Sequence, residues 1–580
     1  MEETKCEKRA LTSMPTTSLQ AAKRQLTINE SLRGKVMWDV CNPRSKEIDK
    51  LIGEMVALQD LPFNFVEGIG FRRLMESVLP RYVLRGRQYF TEYVCETMYA
   101  EIKNQIVQLL KTFNKLSFTT DIWSEPSAGV SLLSLTAHGI SLEFQRVNIV
   151  LRCESIEGSH TGDVIKSTIL SMINEWQISD KVHCVVHDKG SNMIRAMNLT
   201  NFLHINCSVH QLQLCIKNAL NLKEIQGLIA TNRKLVSHFN HSLLAKEKLS
   251  NIQKNKLNQK PLGVIQDCPT RWNSTYYMME RLLKIKDSII LYLNNYEQLS
   301  ITLDDWKIME KCVNILKPFE EVTRELSSST ISISSVIPLI HILTSKLNKE
   351  KSLESGPPYV AKIIETLMYE LNFRFSDLRQ TPIFSISTYL DPRYKLKFFG
   401  EDDKNKIRSE LVKLIHQNYS DVEVCNSSTK ITEKTTLIAN DNDAGPHNAS
   451  SQIQADIEMF LNEDSSDIEY EVDEILTVSE INEVLKEYDK ERKVHISQDP
   501  LLWWKKNCLK YKILVPVVRQ FLSTPPGSVP SEQLFSGAGL IYDTRRFNLK
   551  INSANNSSSS SSDNVEEILI VEECIVNYDL

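Results

Sequence analysis

Between Lys115 and Asp188 the spacing of apolar residues changes period, and that change restricts the fold more than any other feature of the chain. Three runs, KLSFTTDIW, GVSLLSLTAHGIS and FQRVNIVLRCES, are rich in β-formers and separated by short polar turns, the pattern of neighbouring strands. HTGDVIKSTILSMINEW follows, with Val164, Ile165, Ile169, Met172, Ile173 and Trp176 at helical intervals. KVHCVVHDKGSNM then reads as a fourth strand that runs into polar loop residues at Asp188. Three adjacent strands, a helix and a strand ending in an acid make an α/β order.

Both flanks have a different period. Residues 1–50 are polar and mixed and predict a loose arm. The stretch from Asp60 to Phe90 is helical in spacing, and the pattern continues with Val94, Met98, Ile102, Ile106 and Leu109 as a buried stripe. Helical spacing returns from Asn221 to Lys490, with loops expected at 251–268 and 351–358. Within it, Cys425 to Ser451 is polar enough to predict disorder. DPLLWWKKNCLKYKILVPVVRQFLSTPP is strongly apolar, and PSEQLFSGAGLIYDTRRF is a further helix candidate. Ser557–Ser562 is low-complexity, a flexible insert before VEEILIVEECIVNY.

No run reaches the 18 or so apolar residues that a membrane helix needs, and MEETKCEKRA lacks the apolar heart of a signal peptide. Twelve scattered cysteines without a C-x-x-C pair fit reduced thiols of the cytosol or nucleus. The formal charge of −5 argues weakly against nucleic acid, because thirteen acids and one lysine fall between Asp456 and Asp489. Without that block the rest carries about +7, enough for a basic groove.

Asp121 and Asp188 each end an apolar strand, so a sheet pairing those strands would set the two carboxylates side by side. An acid after a strand is commonly just a turn residue. Paired acids on rigid elements are also what phosphodiester chemistry needs, because Mg²⁺ prefers hard oxygen ligands. TTDIW, VVHDKGSNM and, much later, VPSEQLFSGAG resemble the three acid-bearing blocks of the hAT superfamily of DNA transposases and their domesticated, BED-finger relatives. The resemblance runs in family order from about Asp60 to Leu549. It takes in LHINCSVHQLQLCI, CPTRWNSTYYMMERLL, WKIMEKCVNILKPFEEVTRELS, TYLDPRYK and DPLLWW.

That resemblance implies an α/β chain whose RNase H-like catalytic core is interrupted by a long all-helical insertion. The expected parts are a flexible arm (1–50), a helical N-terminal region (51–115), the first part of the core (116–222) and the insertion (223–495), with a disordered acidic stretch at about 425–475. A returning core helix with the hAT C-terminal dimerisation region (496–550), a Ser-rich insert (551–563) and a tail (564–580) complete it. Asp121, Asp188 and Glu532 are implied as the catalytic acids and as ligands of Mg²⁺, should the chain be catalytic. Cys207 and His210 match a C-x-x-H block, and Arg271 and Trp272 match an RW block. These four are the implied DNA-contacting residues, with Trp272 either supporting a displaced base or anchoring a helix of the insertion.

His204, Cys207 and His210 have zinc-like spacing but no obvious fourth ligand, so a buried cysteine and a hydrogen-bonding histidine are expected and structural zinc is not. Only Cys6 and Cys41 precede residue 95, and no histidine precedes His138, so no BED finger is expected in this sequence. Arg81, Arg85 and Arg87 read as a solvated helix face, Trp123 as packing, and Trp503 and Trp504 as core or interface. The function implied is a hAT-derived nuclear protein that binds DNA, forms a homodimer or higher homo-oligomer and regulates transcription. The alternative is an active transposase performing Mg²⁺-dependent cleavage and strand transfer.

Overall fold

A computed structural model describes residues 37–125, 129–156, 158–294, 299, 301–352, 358–432, 477–531, 534 and 535, with backbone alone over 419–432. Of the arm expected over 1–50, residues 1–36 lie outside the described residues, as do the acidic stretch beyond 432, Glu532, the RRFNL region, the Ser-rich insert and the tail; Pro43–Lys50 are corrected from arm to the start of a helix. Two compact units divide the chain, Met1–Thr97 and Met98–Leu580.

In the first unit, the helix Pro43–Leu58 begins with Pro43 at its first position and Asn42 as N-cap, whose side chain accepts the Arg44 N–H. Ile48, Ile52 and Val56 of this helix bury against Val66, Tyr82 and Phe90. Asp49 lies inside that core and accepts hydrogen bonds from the hydroxyls of Tyr82 and Tyr89. Arg85 approaches the same carboxylate at 3.8 Å and is largely shielded, and Arg81 lies over the Trp38 ring. The solvated arginine face is therefore corrected: only Arg87 of the three is exposed, because the buried carboxylate draws Arg85 inward.

The second unit is built on a five-stranded mixed sheet in the order β3-β2-β1-β4-β5. β1 is Leu116–Glu125, β2 Val130–Ile140, β3 Arg146–Ser155, β4 Val182–His187 and β5 His204–Asn206. The first three form an antiparallel meander, and β4 and β5 join in parallel orientation. The helix Gly162–Glu175 supplies the crossover between β3 and β4 and is N-capped by Thr161. Of its expected apolar stripe, Ile165, Ile169, Met172, Ile173 and Trp176 are buried, whereas Val164 in the first turn faces solvent. Gly139 is needed where it stands, since a Cβ there would meet the Phe113 ring at 2.6 Å.

Every described element after β5 is helical. One apolar core runs from Cys184 and Val186 of the sheet through the helices Ser208–Leu220, Trp272–Lys284, Leu303–Leu326 and Pro358–Phe375 to Trp504 and Phe521. Trp503 and Trp504 join an aromatic cluster with Tyr488 and Tyr511; Trp504 donates its indole N–H to the Leu390 carbonyl and is core, while Trp503 packs half-buried against it. Two boundaries differ from expectation. The stripe of the helix Tyr99–Lys111 ends on Leu110 rather than Leu109, at strict four-residue steps from Ile102 and Ile106. The helix Glu401–Thr432 overruns residue 425, where disorder is expected. Its last described buried residue is Ile415, and once nucleated a helix gains a hydrogen bond with each added residue.

Candidate functional site

Alternation along β1 gives its two faces different chemistry. Phe118 faces the side shared with Ala137 of β2, while Ser117, Thr119, Asp121 and Trp123 take the other. Opposite them on β2 stand His138, Thr136, Ser134 and Leu132. Ser117, Thr119, Ser134, Thr136 and His138 are all buried, so this polar face is covered and its groups need partners.

The cover is a segment about 400 residues later in the chain. Arg519 donates from Nε to the Ile140 carbonyl. Ser117 Oγ pairs with Ser523 Oγ at 3.0 Å and Thr524 Oγ1 at 2.7 Å. Ser531 Oγ donates to Thr119 Oγ1 at 3.2 Å, and the Phe535 ring stacks on Trp123, 6.1 Å between centroids and 15° between planes. After the Arg519 contact on β2, the contacts follow one order along the segment and along β1, so the segment tracks β1 toward its C-terminal end. Asp121 stands between the last two contacts on the same strand face. Trp123 is thus a packing residue, as expected, and its partner is the returning segment.

Asp121 Oδ1 accepts the Ile122 N–H at 2.8 Å. Parallel pairing of β1 with β4 ends at Thr119–Val186, and Asp121 and Asp188 each lie two residues beyond that pair. Both acids therefore occupy the same end of neighbouring strands, and both are half-buried. Gly190 admits the second carboxylate, since a Cβ there would sit 3.2 Å from Asp188 Oδ2. Glu532 lies outside the described residues, but its neighbours Ser531 and Leu534 are helical and buried.

Behind Asp188 runs a relay: His187 Nδ1 to the Asp188 carbonyl at 2.6 Å, His187 Nε2 to His204 Nδ1 at 3.0 Å, and His204 Nε2 to Asn198 Oδ1 at 3.0 Å. Burial holds His187 down to about 4, with the His204 ring opposing protonation and Asp188 favouring it. Two neutral rings carry two protons for three hydrogen bonds, so the Asn198 amide must present its NH₂ to His204 for both imidazoles to stay neutral.

Cys207 and His210 take different parts. Cys207 N-caps the helix Ser208–Leu220, its Sγ accepting the His210 N–H at 3.3 Å and the Ser528 N–H at 3.4 Å. Ser208 N–H in turn donates to the Pro526 carbonyl at 2.9 Å, and Gly527 packs so closely that a Cβ would lie 2.9 Å from Val209 and 3.0 Å from Sγ. The cysteine is therefore a clip between this helix and the returning segment. The His210 ring has its pKa lowered by burial, while the Asp188 charge pulls the other way, so it lies within electrostatic reach of that acid. His204 bonds His187 instead of joining Cys207 and His210, and among the described residues no three His, Cys, Asp or Glu side chains form a metal-sized cluster.

The RW block opens the helix Trp272–Lys284. Arg271, its N-cap, is exposed on a loop whose Thr270 carbonyl accepts from Gln213, three residues past His210 on the neighbouring helix. Asp267 of that loop is buried and held by the Arg233 guanidinium at 2.6–3.0 Å and by Thr275 Oγ1. Trp272 is 2% exposed, so neither face of its ring is open to solvent. Sequence reasoning missed the docking groups Ser117, Thr119, Ser523, Ser531 and Phe535. The alternation of Ser117, Thr119 and Asp121 along one apolar strand was a signal for the β1 groups alone; Ser523, Ser531 and Phe535 had none.

Comparison with known families matches three domains in order. Residues 119–214 match the ZBED1 RNase-like domain, 205–315 the ZBED1 RNase-like helical domain, and 480–571 the hAT family C-terminal dimerisation region. By these matches the chain resembles the hAT superfamily, in that family's order. Asp121 and Asp188 fall within the RNase-like match, Cys207, His210, Arg271 and Trp272 within the helical match, and position 532 within the dimerisation region. Human zinc finger BED domain-containing protein 4 is 28% identical over 512 residues, covering 85% of this chain and 41% of that protein. Human zinc finger BED domain-containing protein 6 is 26% identical over 93% of the chain and 56% of its own length. The putative AC transposase of Zea mays is 24% identical over 85% of the chain and 62% of its own. The chain thus spans between two fifths and two thirds of the length of these relatives. No described helix is long and apolar enough to cross a membrane.

Proposed function

We propose that this transposase-derived chain binds DNA in the nucleus, self-associates through residues 480–571 and regulates transcription. The observation that carries the DNA reading is the common end of β1 and β4, where Asp121 and Asp188 lie on neighbouring parallel strands. Glu532 completes this acid set in our reading. Support comes from its sequence neighbours, since Ser531 meets Thr119 and Phe535 meets Trp123, one on each side of Asp121.

The donor set fits Mg²⁺. It consists of carboxylate oxygens on rigid strand ends, while the nearby imidazoles of His187 and His204 are engaged with each other. Bound there by Asp121, Asp188 and Glu532, the ion would offset phosphate charge and lower the pKa of a coordinated water. The protein's own share is to hold the two strand ends together and to fix the loop after Asp188 through the His187–His204–Asn198 relay. The Cys207 clip keeps the returning segment in register. Arg271, exposed beside the helix that carries His210, is our phosphate-contacting residue.

Because both strand acids are retained, a second reading, Mg²⁺-dependent cleavage and strand transfer, has a specific basis. One experiment separates the two. The full chain is incubated with end-bearing DNA with and without Mg²⁺, and both the bound fraction and the strand products are measured. Binding without products supports the regulatory reading, and products lost in Asp188→Ala support the enzyme. Absence of binding to any DNA ends both.

A further inference from the structure

The helix Pro358–Phe375 already has a core face, formed by Ile363, Ile364, Leu367 and Leu371. On its solvent side Tyr369 and Phe373, one turn apart, are 66% and 62% exposed. Isolated exposed apolar residues are ordinary on protein surfaces. These two are different because their rings stack in parallel, 6.2 Å between centroids and 4° between planes, and form one exposed aromatic pair. Lys189 Nζ sits 5.9 Å from the Phe373 centroid, and Lys189 is the residue after Asp188. The adjoining Arg374 donates to Gln211 Oε1 at 3.4 Å, beside His210 on the helix Ser208–Leu220. The aromatic surface is thereby fixed next to the candidate site, whereas Trp272 keeps its ring in the core.

We propose that Tyr369 and Phe373 are a stacking platform for an unpaired nucleobase of a DNA strand whose phosphate lies toward Asp188; this rests on the DNA-binding reading above. The occupant follows from the chemistry. An exposed aromatic pair suits a base, and the cations over the Phe373 ring, Lys189 and Arg374, suit the phosphate attached to that base. In a duplex both faces of a base are covered by its neighbours, so only an unpaired or displaced base can use the platform. A peptide partner would need an apolar rim around the rings, whereas the groups beside Phe373 are Lys189 and the Arg374–Glu370 pair.

The test uses the full chain in EDTA, so that neither metal nor catalysis contributes. Binding is measured by anisotropy to a blunt duplex and to the same duplex with a single-stranded extension, and 2-aminopurine in the extension reports stacking through quenching. Wild type should prefer the extended DNA and quench the probe. The double variant Tyr369→Ala/Phe373→Ala should lose about tenfold or more for extended DNA. It should lose the quenching too, with blunt-duplex affinity unchanged, and Phe373→Trp should retain both. Both side chains are exposed, so the variant should keep its wild-type melting temperature. The proposal is overturned if the double variant binds and quenches like wild type, or if it weakens on both DNAs equally. It is also overturned if only the molar mass by light scattering changes, which would make the rings a protein interface. If wild type binds no DNA at all, the reading beneath the proposal fails first, and the two failures are distinct.

Discussion

Gly527 shows how much a single side chain can decide here. With Val209 and the Cys207 thiol on one side, it leaves no room for a methyl group, and the Ser528 N–H beside it needs the Cys207 sulfur as acceptor. Gly527→Ala should therefore cost about 1–3 kcal/mol in urea unfolding, the usual range for overpacking. His138 makes a pH prediction at the same scale. It is buried between Thr119 and Asn148, and burial pushes its pKa down to about 4, the nearby Arg146 charge adding to the effect and the Asn148 hydrogen bond opposing it. The ring protonates in the unfolded chain below about 6.5, so its contribution is fully present above that pH and is lost as pH falls toward 4. The loss amounts to about 3 kcal/mol. Stability measured from pH 7 to 4.5 should fall, and His138→Gln should flatten that slope. Some slope should remain, because burial lowers His183 to about 3 and His187 to about 4 in the same direction.

At the scale of elements, Trp123 and Phe535 hold the far end of the returning segment on β1. Removing one ring with Trp123→Ala should loosen that segment, and amides of residues 528–531 should exchange up to about tenfold faster by hydrogen exchange, in line with about 0.5–1.5 kcal/mol for an aromatic pair. Amides of β2 and β3 should keep their rates. The four long strands and the crossover helix were legible because their apolar periods are sustained over many residues. β5 was not, since three residues, His204–Asn206, are too few for any period. The helix Ser191–Asn198 was hidden by its polar opening, Ser191 and Asn192, and was read as loop. Asp121 and Asp188 were legible as strand-end acids. The grip on β1 was not, because hydrogen bonds between hydroxyls 400 residues apart leave no spacing in the sequence. The exposed rings of Tyr369 and Phe373 escaped for the opposite reason, being apolar letters inside a helical pattern that otherwise describes core.

For the whole molecule, the charge pattern makes a prediction. An acid-rich block offsets an otherwise positive chain, so DNA affinity of the intact protein should fall steeply with added salt, linearly in log–log form. Without divalent ions, the double variant Asp121→Asn/Asp188→Asn should bind DNA several-fold more tightly than wild type, since two like charges are removed from the phosphate's path. Adding Mg²⁺ should tighten wild type and leave that variant unchanged; equal responses in anisotropy titrations would count against carboxylates as the ion's ligands.

The grip of residues 519–535 on β1 also has a temporal consequence. During synthesis the strand leaves the ribosome hundreds of codons before its partner, so Ser117 and Thr119 wait with hydroxyls bonded to water, and a chaperone could hold the open sheet. A nascent chain halted before codon 519 would carry every described strand and still display an uncovered polar groove. Completion of the fold thus waits for residues 519–535, and a stop codon shortly before codon 519 would release a protein with its described sheet assembled and its site undone.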